Sequence, residues 1–459
     1  MKKSLIALAA LSAASAFAQS SVTLYGIVEA TSDIGYSRKQ DSSATARTFN
    51  PAGVLTGTTV TPTTSEQKNN LRIQDGSSQG TGSSRVGFRG TEDLGAGLKA
   101  NFVLEMGLRI DDGCTTLAGV VGAFGTAPNA SNSVRCNNGG NSEDSGGATF
   151  GRNAWGGVSG EFGEVRLGRQ VTGSFGVQGN SFAAGTSNGL YDSAVLVSPA
   201  ISGVRFSNAI RYLSPSFAGL KGSVMVAAPE TAANTASTGA TTNSASRRAG
   251  VDLALEYANG PVYIGFGTNK RDTGNVTSVA TPVLGGASTV FVSPGVITAY
   301  TLGGSYDLGV VKPFLNYTRE TTAINGSTIA PATFATASNN SNVVHKAFSI
   351  GLRAPFGPVT AIAGYGRGTI DTNGATVGTT GLGVVTNGST VAQEKRDAFQ
   401  LGAQYALSKR TLVEANYGNY KVRTNTAGTS SSALVGSTVT TTRANERINA
   451  LNVGLKHSF

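Results

Sequence analysis

The chain has 459 residues, of which 62 are glycine, 14% are charged and only two are cysteine, and its formal net charge is +10. Since no run of adjacent Lys and Arg residues exceeds two, we expect no nucleic-acid partner. Scattered basic charge fits a lined cavity for anionic solutes better than a binding tail.

Residues 1–18 predict a secretory signal peptide. Lys2 and Lys3 precede an apolar stretch at residues 5–17, and Ala16-Phe17-Ala18 has the form of a cleavage site. We therefore expect a mature chain of residues 19–459, in which 34 basic residues face 26 acidic ones and the net charge is +8. No later apolar run is long enough for a transmembrane helix.

The first predicted strand, residues 22–32, places Leu24 and Val28 on one face and Tyr25 and Glu29 on the other. This period of two is typical of a strand with unlike faces.

The same alternation continues in a predicted hairpin at residues 84–108. Phe102 and Leu104 lie on one face of its second run, and Asn101 and Glu105 lie on the other. One such hairpin does not distinguish a sandwich from a membrane barrel. Its repetition through the chain favours the barrel.

Short turns and long polar segments alternate along the rest of the chain. The turns are predicted at residues 92–95, 161–164, 215–220, 258–261, 307–309, 355–358 and 407–410. The long segments, predicted as loops, are residues 33–82, 110–148, 171–203, 230–247, 272–296, 321–345, 371–395 and 422–445. Seven hairpins between an opening and a final strand predict an all-β fold, a transmembrane antiparallel barrel of 16 strands with an aqueous lumen.

Aromatic residues recur near the turn-side strand ends, as in the girdles at membrane interfaces. They are Tyr25, Phe162, Phe217, Tyr306, Phe356, Tyr405 and Phe459.

Several motifs together resemble the Gram-negative trimeric general porins, and most of all those of the Burkholderia, Bordetella and Neisseria group. They are QSSVTLYG at residues 19–26, SRVGFRGTEDLG at 84–95, LGRQ at 167–170, YLSPSFAG at 212–219 and GLKHSF at 454–459. The resemblance implies a homotrimer in the outer membrane, among its lipids and lipopolysaccharide, with short periplasmic turns and long extracellular loops. It also implies that the third loop folds into the lumen and that Phe459 is read by the barrel-assembly machinery.

The resemblance implies a basic wall at the pore constriction. Arg85, Arg169 and Arg205 match its arginines, with Arg89 and Arg211 as neighbours. Arginine suits this role because its guanidinium stays charged at every relevant pH.

Acidic residues are scarce in the third loop, where the family usually has several. Asp192 is the one acid within residues 171–203, and Glu105 and Glu29 have the parity of the lumen face. We therefore expect a constriction with a positive balance that prefers anions among small hydrophilic solutes.

Cys114 and Cys136 lie in one long loop, and in the oxidising periplasm we expect them to form a disulfide. We expect no metal site, since His345 and His457 are far apart, and no cofactor.

Three other functions compete with a general porin. They are a substrate-specific channel, a barrel adhesin or receptor, and an outer-membrane enzyme. The G-x-S-x-G matches at residues 76–80 and 185–189 lie in Gly/Ser loops without a histidine partner, so no enzyme is expected.

Overall fold

The computed structural model describes residues 21–69, 71–74, 84–108, 110, 115–116, 149–183, 203–229, 249–280, 289–325, 327–329, 338–379, 385–432 and 436–459. The strands in this part of the chain are β1 (Ser21–Phe49), β2 (Leu55–Asn69), β3 (Arg72–Gln74), β4 (Arg85–Gly95), β5 (Leu98–Leu108), β6 (Thr115–Thr116), β7 (Asn153–Gly160), β8 (Gly163–Val171), β9 (Arg205–Leu213), β10 (Leu220–Ala227), β11 (Gly250–Asn259), β12 (Val262–Ala280), β13 (Thr289–Tyr306), β14 (Lys312–Asn325), β15 (Ser327–Ile329), β16 (Ser338–Phe356), β17 (Val359–Thr379), β18 (Val385–Ala406), β19 (Thr411–Ser432) and β20 (Gly436–Ser458). They are joined by one described helix, α1 (Gly173–Asn180). Among these residues, no helix combines the length and the apolar character needed to cross a bilayer.

Sixteen of the strands form one closed wall, and they are β1, β4, β5, β7 to β14 and β16 to β20. Each pairs antiparallel with the next, and β20 returns to β1, where Ile27 lies opposite Ser458. Of the remaining strands, β2 and β3 pair with β1, β6 pairs with β5, and β15 pairs with β13. The prediction of a 16-stranded antiparallel barrel is confirmed.

The two faces of the wall have inverted polarity. On β11, Leu253 and Leu255 are 43% and 49% exposed, whereas Asp252, the residue before Leu253, is fully buried. On β1, Leu24 is exposed and Glu29 is buried. Apolar side chains therefore cover the outside and polar ones line the inside, as in a barrel with a polar lumen.

The predicted short turns lie where the structure has them, with one small shift. Six of the seven coincide with the described strand ends, such as residues 407–410 between β18 and β19. The first turn is displaced to residues 95–97, where Gly95, Ala96 and Gly97 all have positive φ. The acidic pair before it, Glu92 and Asp93, still belongs to β4.

The prediction that all eight long segments are loops was wrong for five of them. Within residues 33–82, β1 continues to Phe49 and pairs with β2, and the segments 272–296, 321–345, 371–395 and 422–445 are likewise strand hairpins in large part. The β2 stretch at residues 55–66 is exposed throughout. When both faces of a strand are exposed to solvent, apolar and polar side chains need not alternate, although the backbone still pairs across the hairpin.

The third long segment turns inward. Residues 172–183 of this segment contain α1, which packs against β11, β12 and β13. The wall positions that it contacts, including Gly267 and Gly303, alternate with the exposed outward residues Phe266 and Leu302. The expected inward loop is therefore present inside the barrel.

Candidate pore constriction

The inward helix is fastened to the wall at its N-terminus. The Oδ1 atom of Asp252 accepts a hydrogen bond from the backbone N–H of Gly173 at 2.7 Å, and Oδ2 accepts one from the N–H of Ser174 at 3.2 Å. The hydroxyl of Ser174 also donates to Oδ2. A carboxylate is favourable here because the first N–H groups of a helix lack intrahelical partners.

Wall glycines make room for the inward segment. A Cβ atom at Gly303 would overlap the Ser181 side chain, and one at Gly351 would overlap Ala183. At Gly265, it would lie 2.8 Å from Val177. The segment thus lies directly on the inner wall and narrows the lumen from that side.

The far end of the helix is tied to β14 and again to β11. Gln178 Nε2 donates to the hydroxyl of Thr318 at 3.2 Å, and Asn180 Nδ2 donates to Glu256 Oε2 at 3.2 Å. The Tyr263 hydroxyl donates to the same Glu256 oxygen at 2.8 Å. These bonds fix the position of the helix across the wall.

A second cluster, on β5 and its neighbours, is built around Glu105, which is 6% exposed. Its Oε1 accepts from Arg152 Nε at 2.7 Å and from Asn153 Nδ2 at 3.2 Å. Its Oε2 accepts from the Tyr25 hydroxyl at 3.0 Å and lies 3.6 Å from Arg85 Nε. We call these five residues the Glu105 cluster. Two guanidinium groups share one carboxylate there.

Glu105 therefore lies within the basic wall beside Arg85, one strand away, rather than across the lumen from it. Arg152, which is 5% exposed, is a cluster member that sequence reasoning missed. It precedes β7 in a glycine-rich stretch without alternation, so its partner depends on the pairing of β5 with β7.

The other two predicted arginines lie around the start of the inward segment. Arg169 sits where the β8–β9 register shifts, and its guanidinium donates to the Gly151 carbonyl and to the Ser207 hydroxyl, both at 2.6 Å. Arg205 opens β9, is 9% exposed and lies opposite Val171. Arg169 thus lies three residues before Thr172, the N-cap of α1, and Arg205 lies opposite the residue that precedes this N-cap.

The two neighbouring arginines lie on the barrel wall as well. Arg211 donates to the Val171 carbonyl at 2.8 Å and to the Ser223 hydroxyl at 3.2 Å. Arg89 is exposed, with its guanidinium carbon 5.1 Å from the centre of the Tyr25 ring.

Tyr25 corrects the predicted aromatic girdle. Its hydroxyl bonds to the buried Glu105, so the ring lies inside the barrel. The other six predicted girdle residues are exposed, from 41% for Phe459 to 82% for Phe217. Tyr25 lies an even number of residues from Glu29 on β1, so the sequence could have placed both side chains on the inner face. The position along the strand, rather than the residue type, decides which face a side chain lies on.

Glu29, predicted on the lumen parity, is fully buried, and Lys456 Nζ lies 4.0 Å from its Oε2. The predicted loop acid Asp192 and the predicted disulfide pair Cys114 and Cys136 lie outside the described residues.

Comparison with known proteins agrees with this architecture. The family model described as Gram-negative porin matches residues 4–425. The chain belongs to the Gram-negative porin family. It is 29% identical to the outer membrane porin protein 32 of Delftia acidovorans, over all of both chains. It is 27% identical to an outer membrane porin protein of Bordetella pertussis, over 92% of this chain and 94% of the relative.

Among solved structures, the chain is similar to the anion-selective porin from Comamonas acidovorans, with 21% identity and a TM-score of 0.48, covering 96% of this chain and 100% of that one. Membership of the porin family places this protein in the outer membrane, where it acts as a diffusion channel.

Proposed function

We propose that this porin is a general diffusion channel with a preference for anions and that the Glu105 cluster contributes to that preference. The observation that carries the proposal is the surplus of charge in this cluster, where Arg85 and Arg152 surround the single carboxylate of Glu105. Within this cluster, two guanidinium groups therefore face one carboxylate on the inner wall of the barrel. Charge that lines a narrow aqueous path raises the local concentration of counter-ions.

Arg169 and Arg205 are proposed to extend this basic wall towards the inward segment. Arg211 adds a third guanidinium near the start of α1, bonded to Val171 and Ser223. The carboxylate of Asp252 is fully buried against α1 and is already bonded to Gly173 and Ser174. Because that acid is shielded by the helix, the solute path is left with a basic balance on this side.

The inward segment is proposed to set the width of the path. Residues 172–183 lie on the inner wall and are held by Asp252, Thr318 and Glu256. A fixed constriction in an otherwise open barrel sorts solutes by size and charge without a chemical step. We propose no catalytic role.

The assembly is proposed to be a homotrimer embedded among outer-membrane lipids and lipopolysaccharide. Phe459, the proposed signal for the barrel-assembly machinery, exchanges two backbone hydrogen bonds of 3.1 Å with Gly26 at the seam of the barrel. Residues 1–18 are proposed to be removed as a signal peptide, and Cys114 and Cys136 are proposed to form a disulfide in the mature chain.

Swelling of proteoliposomes in isotonic solutions of uncharged sugars tests the channel class. We expect swelling rates that fall smoothly with the size of the sugar and do not saturate with its concentration. Saturation by one sugar alone would show a substrate-specific channel, and the absence of swelling with every sugar would overturn the proposal. Current steps that occur in groups of three would support the trimer.

A further inference from the structure

We propose that the barrel contains a second anion site, between the Glu105 cluster and the short-turn mouth, which takes small aromatic carboxylates. This inference rests on the proposed solute path. The site is a cavity of about 410 Å³ that Arg89, Trp155 and Arg166 line together with Thr23 and Glu164. We call these five residues the Trp155 site.

Strand register places the site on the inner face. Thr23, Arg89, Val103 and Trp155 lie directly opposite one another on β1, β4, β5 and β7. In the next row, Leu24 lies opposite Phe88. The side chain of Leu24 is 54% exposed and that of Phe88 is 40% exposed, both on the outside of the barrel. Since successive residues of a strand point to opposite faces, the Trp155 row faces the lumen.

The site also has a definite depth. On β5, Val103 lies two residues closer than Glu105 to the turn at residues 95–97. On β8, Glu164 follows the turn at residues 161–162 almost at once. A solute that has passed the constriction would therefore meet the Trp155 site before the short-turn mouth.

Trp155 and Arg166 form the first half of the site. The guanidinium carbon of Arg166 lies 4.1 Å from the centre of the indole ring, and Arg166 Nη2 lies 2.6 Å from Glu164 Oε2. Gly157 lies opposite Arg166, and a Cβ atom there would lie 3.3 Å from Arg166 Cγ. The stacked arginine keeps 23% of its side chain exposed, so donor groups remain available to a ligand.

Arg89 forms the second half. Unlike Arg85 and Arg152, which lie against the buried Glu105, Arg89 is exposed and rests on the Tyr25 ring. Both arginines of the site are therefore positioned by aromatic rings. Among the described lining residues, Glu164 is the one acid, so two positive charges and one negative charge leave a balance that suits a single carboxylate.

The chemistry of the lining selects the ligand class. The guanidinium groups bind a carboxylate through charge-assisted hydrogen bonds, and Val103 with the half-buried indole offers apolar surface to a ring. A cavity of about 410 Å³ is within the range of small-molecule sites. Acetate lacks the ring and benzyl alcohol lacks the charge, so each should bind more weakly than benzoate.

The single tryptophan of the chain makes the site directly observable. We would titrate the detergent-purified protein with sodium benzoate and record tryptophan fluorescence, with acetate and benzyl alcohol as comparison ligands. We expect a saturable change with benzoate, and at least about tenfold weaker apparent binding in Arg89→Gln, as for the loss of one charge-assisted hydrogen bond. Arg89→Lys should restore part of the binding because the charge returns.

Arg353→Gln is the matched control, since it removes one arginine from β16 on another part of the wall, where Arg353 bonds to Gln404. Its benzoate titration should equal that of the native protein. Unheated gel mobility shows that each variant is folded. A linear, unsaturable response, or equal saturation in the native protein and Arg89→Gln, would overturn the Trp155 site.

This test is separable from that of the proposed function, because binding in detergent does not require conduction. A protein that conducts and prefers chloride but shows no saturable benzoate signal would contradict the Trp155 site alone. A protein that binds benzoate but passes no current would contradict the channel proposal alone. Benzoate that lowers single-channel chloride current in the native protein, but not in Arg89→Gln, would place the bound ligand in the conducting path.

Discussion

The carboxylate of Asp252 accepts a hydrogen bond from the backbone N–H of Gly173 at a distance of 2.7 Å. Asp252 lies on the wall strand β11, and Gly173 is the first residue of the inward helix α1. The two residues are 79 positions apart in the chain. This contact joins the element that narrows the lumen to the wall that surrounds it.

Replacing Asp252 with Asn should loosen the inward segment while leaving the barrel closed. The amide keeps one acceptor oxygen but loses the charge, and a hydrogen bond to a charged group contributes about 1.5–3 kcal/mol. We expect more frequent brief closures and a broader distribution of conductance steps in planar bilayers. Asp307→Asn is the control, since Asp307 Oδ1 accepts from Gly309 N–H at 2.8 Å in an exposed turn. Equal current noise in the two variants would contradict the assigned contact.

Gly303→Ala should displace the end of the inward segment. The new Cβ atom would overlap the Ser181 side chain, so either the segment or β13 must shift. We expect an altered conductance and a lower temperature of unfolding. In Gly222→Ala, where the nearest atom to the new Cβ is 3.9 Å away, neither property should change. Unchanged conductance in Gly303→Ala would argue against a segment seated on this wall.

Glu105→Gln and Arg152→Gln should change ion selectivity in opposite directions. The first removes the carboxylate that Arg85 and Arg152 share, so chloride preference should rise, and the second removes one of the two guanidinium groups, so it should fall. The double variant should return close to the native selectivity. Zero-current potentials measured for all three variants check this, and shifts of the same sign in both single variants would rule out the charge assignment.

The anion preference should weaken with salt. The Debye length is about 10 Å in 0.1 M salt and about 3 Å in 1 M salt, so fixed arginine charge reaches less of the lumen as salt is added. We expect the chloride-to-potassium permeability ratio to decline as both solutions are concentrated at a constant gradient. A ratio that does not depend on salt would point to a steric origin of the preference.

The sequence is most informative where one face of a strand meets lipid. Leu253 and Leu255 alternate with Asp252, and this contrast makes the strand and its inner face predictable. The continuation of β1 to Phe49 was not predicted, because apolar and polar residues alternate weakly in that stretch. In this stretch β1 and β2 are joined by backbone hydrogen bonds, which do not require a particular pattern of side chains.

The candidate site was predictable only in part. Arg85 and Glu105 follow from motif and parity, whereas Arg152 joins them because β5 pairs with β7 across a long intervening segment. Asp252 carried a usable signal, because it and Glu256 both lie on the inner parity of β11, opposite an apolar outer face. Its partner Gly173 lies 79 residues away, and such pairs depend on the closed topology.

The zero-current potential of the native protein, in a planar bilayer across a tenfold KCl gradient, tests the central claim most directly. With arginines in excess at the Glu105 cluster, chloride should permeate faster than potassium, and the potential should approach the equilibrium potential of chloride. A potential that approaches the equilibrium value of potassium would contradict an anion-preferring channel.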